Sequence, residues 1–222
     1  GTAPVEAGLE IVDWRAIHLF AGGALVVVAM LVILVAPERK PESVGLTLLD
    51  QIKGMNVIVG SIVFWRAAPL MMAVVGIFAC MTQLWVGPWV RDVAGISAQQ
   101  AANLLLGLAA SMTLAGLLTG RLTKMAKGLG LDAMQFAAIT AGLFAILLVP
   151  IFLQWTPSTL IVFCLWALFG FLASLNFVTY AALAPHFEPQ VIGRLNACLT
   201  LAWMLGAFLF QGLYQSAFRG DI

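Results

Sequence analysis

The chain has 222 residues, of which 62% are hydrophobic and 9% charged, and its formal net charge is +1. A soluble domain carries about 25% charged residues, so there are too few polar side chains here to cover a globular surface in water. The composition excludes a soluble enzyme, and with no basic cluster larger than a membrane loop needs it also excludes a nucleic-acid partner. It selects an integral membrane protein.

Residues 1–13 contain Pro4, Glu6, Glu10 and Asp13 and read as the last turns of a preceding helix followed by a loop. The chain begins at Gly1, in mid-pattern and without a signal-peptide layout, so it reads as a fragment of a longer polypeptide. Residues 17–35 are free of charge and form the first expected span. Trp14 stands at its boundary, where an interfacial aromatic belongs, and Pro37 stops it. The segment 38–66 is a more polar connector. Its apolar part, 55–65, is too short for a bilayer that takes about 20 residues to cross, and reads as a surface helix.

Five further uncharged runs follow. They are 70–90, 101–118, 133–153, 160–184 and 195–214, with Pro69, Gly87-Pro88, Thr156-Pro157-Ser158-Thr159 and Pro185 as punctuation. Six helices are expected and no strands: an all-α polytopic transmembrane bundle. Between the third and fourth runs, residues 116–127 carry Arg121, Lys124 and Lys127 and read as a short cytoplasmic loop, because Lys and Arg resist translocation. With 38–66 on that same side, Arg39, Lys40, Lys53, Arg66, Arg121, Lys124, Lys127 and Arg194 are cytoplasmic. Only Arg15, Arg91 and Arg219 of the eleven cations lie outside. Both ends of the chain are then external.

No Asp, Glu, Lys or Arg sits in the middle of a span, so no intramembrane proton relay is nominated. His18 and His186 fall at span edges on opposite sides of the membrane, and no HExxH, GxSxG or P-loop pattern occurs. No enzyme activity, cofactor or metal is expected. The three cysteines, Cys80, Cys164 and Cys198, lie in apolar runs without CxxC spacing and read as small buried hydrophobes.

Uncharged polar residues remain, and they are unevenly spread. Asn176, Thr179 and Tyr180 share one face of the fifth span, and Asn196, Thr200, Trp203 and Gln211 one face of the sixth. Asn103, Gly107 and Ser111 repeat along the third. Gly76, Cys80, Gln83 and Gly87 repeat along the second, with Thr82 beside them. The first span is bare of polar side chains beyond its start, and the fourth has only Gln135 and Thr140. Helix packing accounts for any single polar residue, through interhelical hydrogen bonds or close approach at small pairs such as Gly116/Gly120 and Gly170/Ser174. Four striped helices beside two plain ones are better explained by a cavity, with the plain helices facing lipid.

These residues resemble the major facilitator superfamily of secondary transporters. The family's loop pattern G-x-x-x-D-R-x-G-R-R/K is matched at Gly116, Arg121 and Lys124. Gly120 stands where the pattern has Asp, and Thr123 where it has Gly. Asp13-Trp14-Arg15 resembles the family's approach to its sixth helix, and Pro185 to Pro189 with Gly193-Arg194 its loop between helices ten and eleven. The resemblance implies helices six to eleven of twelve. Residues 1–37 would hold the end of one helix and the last helix of the N-terminal half, 38–66 the connector between halves, and 67–222 five helices of the C-terminal half.

The same resemblance implies alternating access around a midplane site. The substrate cavity would take Gln83, Asn103, Asn176, Tyr180, Thr200 and Gln211, with Gly116, Arg121 and Lys124 forming a cytoplasmic gate. The expected partners are a small-molecule substrate, a coupling proton, the lipid bilayer and the missing N-terminal half. The expected location is a bacterial cytoplasmic (inner) membrane. The alternative is a degenerate or structural six-helix protein that transports nothing.

Overall fold

The computed structural model describes residues 13–35 and 48–218. The expected helix end over 1–12, the connector residues 38–47 with Arg39 and Lys40, and Arg219 lie outside the described residues. The described residues are helical and contain no strand.

Among the described residues, six helices are long and apolar enough to cross a membrane. They are α1 (Trp14–Val35), α3 (Ile62–Val93), α4 (Ala98–Gly128), α5 (Ala133–Phe152), α6 (Thr159–His186) and α7 (Pro189–Ser216). A shorter helix, α2 (Leu48–Val59), precedes α3. The single surface helix expected over 55–65 is therefore two pieces. Gly60 ends α2 by a turn onto Asn56, and Ser61 caps α3 by accepting from Val63 N–H at 3.3 Å. Arg66 thus lies one turn inside the second span.

The start signals are local. Ser97 with Gln100 and Asp132 with Gln135 form capping boxes at α4 and α5, satisfying amide donors that helix geometry leaves open. Asp132→Ala is expected to cost about 1 kcal/mol, read as a small fall in the thermal midpoint of the purified protein. Gly130, at φ +84°, closes α4. Its N–H donates to Lys127 O and that of Leu131 to Ala126 O, both at 3.0 Å. The loop expected at 116–127 is accordingly a continuation of α4, and only the residues around Gly130 turn.

Two interfaces build the bundle: α3 against α7, and α4 against α6, with α5 packed on α6. Gly76 and Gly206 make the first possible. A Cβ on Gly76 would lie 2.9 Å from the Gly206 carbonyl carbon, and one on Gly206 would strike the Met72 carbonyl oxygen. At the second, a Cβ on Gly170 would meet Ser111 Oγ at 3.0 Å. One apolar core gathers Phe78, Trp89, Phe144, Trp166 and Phe169; another gathers Ile58, Phe64, Met71, Leu195 and Leu199. No residue of α1 is buried. The fourth span, expected to face lipid, instead buries Ala137, Thr140, Phe144, Leu148 and Ile151.

α3 widens at Met81–Trp85 and Trp89–Val93 into π-helical turns on either side of Gly87-Pro88. Proline has no N–H to donate and its ring crowds the carbonyl four residues back, and a wider turn relieves both.

Candidate functional site

The fifth span is broken. Thr159–Leu175 is α-helical, and Val178–Leu183 resumes after a tight turn at Asn176 and Phe177. Asn176 N–H donates to Ala173 O at 3.2 Å rather than to Leu172 O, as a regular helix would require. The freed Leu172 carbonyl accepts from Asn176 Nδ2 at 3.1 Å instead. Phe177, Thr179 and Tyr180 continue the same shortened i to i−3 pattern. No proline is involved. A side-chain amide competing with the backbone for its own helix suffices.

The break turns neighbouring side chains toward different helices. Asn176, fully buried, also donates from Nδ2 to Thr140 Oγ1 on α5 at 3.2 Å. Thr140 Oγ1 sits over the Phe136 and Ala137 carbonyls, so its proton is used locally and a lone pair remains for Asn176. One turn on, Tyr180 Oη lies 2.9 Å from Thr200 Oγ1 on α7, and Trp203 Nε1 donates to the same Tyr180 oxygen at 3.3 Å. Five polar side chains from three helices thus meet around the break.

Two buried oxygens at the break have no hydrogen-bond partner among the described residues: Asn176 Oδ1 and Thr179 Oγ1. An unsatisfied buried acceptor costs about 1–3 kcal/mol, and such cost persists where a polar guest relieves it. With no charged side chain among the five, the cluster offers neutral hydrogen bonds and aromatic contact.

The expected cavity residues divide accordingly. Tyr180 and Thr200 are joined directly, and Asn176 belongs to the adjoining turn. Gln211 is three turns further along α7, ~16 Å by helical rise, and half-buried. Gln83 and Asn103 are exposed; Gln83 stands in the first π turn, and Asn103 accepts from Gln99 at 3.5 Å. None of these three hydrogen-bonds to the cluster. Thr140 was not among the expected site residues, and a lone Thr in an otherwise apolar run was its only signal. Trp203 lay in the sixth-span stripe without being assigned to the site.

The expected gate residues also separate. Gly116 and Lys124 line one cleft between α4 and α6, whereas Arg121, exposed, does not line it. Trp166 is fully buried in the core, and Trp85 lies tilted against Tyr214 at 4.1 Å between centroids.

A family model described as Major Facilitator Superfamily matches residues 4–211. No curated protein and no solved structure matches the chain.

Proposed function

The chain belongs to the major facilitator superfamily of membrane transporters, and from that premise we propose that it forms part of an alternating-access carrier for a small solute. The observation that carries this reading is the interrupted α6, with unpaired Asn176 Oδ1 and Thr179 Oγ1 beside the Tyr180–Thr200–Trp203 cluster. Interrupted helices with freed polar groups are how transporters of this kind build sites inside a bilayer.

In this reading the solute is held by neutral hydrogen bonds and aromatic faces on this wall, and any charge pairing or proton coupling comes from a complementary six-helix half. The chain performs no covalent chemistry. It sits in a bacterial cytoplasmic membrane, with the cationic end of α4 facing the cytoplasm, in keeping with the loop charges.

Alternating access makes a prediction that does not require the solute to be known. With Cys80, Cys164 and Cys198 replaced by Ala, a Thr200→Cys variant in sealed vesicles should react with a membrane-impermeant maleimide added from either side. Labelling from one side only, or from neither, would remove the alternating-access reading and favour a six-helix structural protein.

A further inference from the structure

A second feature lies on the face of α6 turned away from Asn176. Between α4 and α6 runs an open cleft of about 860 Å3, walled by Gly116, Gly120, Phe177 and Val178 and rimmed at one end by Lys124 and Lys127. A Cβ on Gly116 or Gly120 would meet nothing within 4 Å, so no side chain among the described residues occupies that space.

The hydrogen-bonding character of the wall is specific. Thr119 Oγ1 donates to Ala115 O at 2.6 Å and Thr123 Oγ1 to Thr119 O at 2.7 Å, so neither has a proton left for a ligand. Ser174 also borders the cleft, with its hydroxyl oxygen buried rather than open to it. The donors open to the cleft are therefore the two ammonium groups at its mouth. Gly120 and Gly116 stand one and two turns from Lys124 along α4, about 6 and 12 Å further into the membrane.

An apolar slot with a cationic rim matches one chemistry: an amphiphile with an anionic head and an alkyl chain. We propose that this cleft holds an anionic phospholipid of the cytoplasmic leaflet. Its phosphate pairs with Lys124 and Lys127, and an acyl chain lies over Gly120 and Gly116. The proposal rests on the membrane placement and orientation read above, but not on the solute site. Headgroup contacts at this end of α4 would bias the packing of α4 on α6, the helix that carries the break.

The test is native mass spectrometry of the delipidated protein after exposure to phosphatidylglycerol or phosphatidylcholine. Phosphatidylglycerol should be retained roughly ten- to thirtyfold better, as two interfacial lysines allow. Lys124→Gln with Lys127→Gln should abolish the preference. Gly120→Leu should lower retention of both lipids, and its Cβ meets nothing within 4 Å among the described residues.

Equal retention of the two lipids, or a preference that survives the double lysine change, would overturn the proposal. Displacement of the lipid by inorganic phosphate alone would assign the rim to a soluble anion. A Gly120→Cys variant that cross-links to another segment of the polypeptide would assign the slot to a protein helix. Because none of these readouts involves solute flux, a failed lipid test leaves the carrier reading untouched, and the reverse also holds.

Discussion

Gly206→Val should prevent α7 from seating on α3. The Cβ of any residue at 206 would strike the Met72 carbonyl, and a Cβ at 76 would lie 2.9 Å from backbone atoms of Gly206 and Ala207. Backbone cannot swing aside as the end of a lysine can, so the two helices must separate. Separation forfeits the dispersion contacts of Met71, Val75, Leu195 and Leu199 along the same seam. Even Gly206→Ala should cost about 1–3 kcal/mol, a fall of roughly 2–12 °C in the thermal midpoint for a chain of this size. Valine should leave little folded protein in the membrane. Gly116→Ala supplies the control, since its Cβ meets nothing within 4 Å. If the control and Gly206→Ala have the same midpoint, the close α3–α7 crossing is wrong.

The contrast between these glycines shows what the residues reveal and where they stop. Gly116/Gly120 has the spacing of a close-packing pair, yet both face open space. Gly76 and Gly206, 130 positions apart, make the tight contact. Spacing along one helix says which residues share a face; it does not say which neighbour that face meets. The six spans were legible because hydrocarbon demands long uncharged runs. The α5 start was legible too, as the beginning of the uncharged run 133–153.

The extent of α4 was not legible, since Arg and Lys are good helix formers and a cationic stretch beyond the membrane edge can stay helical. Thr140 was read as lipid-facing because its run is otherwise apolar, whereas burial there answers to Asn176 on another helix. Gln154, a non-glycine residue at φ +55°, closes α5 with a turn that composition does not signal. The Tyr180–Thr200 pair emerged from the stripes of the fifth and sixth spans. Gln83, Asn103 and Gln211 came from the same reasoning and lie apart from it.

Asn176 is where the solute site is most exposed to refutation. Asn176→Ala removes two donated bonds, strands the Leu172 carbonyl and deletes the unpaired Oδ1. If Oδ1 engages solute, uptake into vesicles at matched protein amounts should fall roughly ten- to hundredfold. The solute is to be found first by comparing uptake panels with and without the protein. Thr140→Val separates this role from a merely structural one. It breaks the α5–α6 link yet leaves Oδ1 in place, so flux should fall much less, by about the worth of one hydrogen bond. Were Asn176 only a clasp between helices, the two substitutions would cost the same, and the pair together little more than either alone. Tyr180→Phe provides the parallel case on α7, because it deletes the oxygen shared by Thr200 and Trp203 while keeping the ring. Undiminished flux in both Asn176→Ala and Tyr180→Phe, at normal membrane abundance, would move the solute path away from the α6 break. Loss of flux in both, with Thr140→Val nearly normal, would locate it there, because breaking the α5–α6 link alone would then not account for the loss.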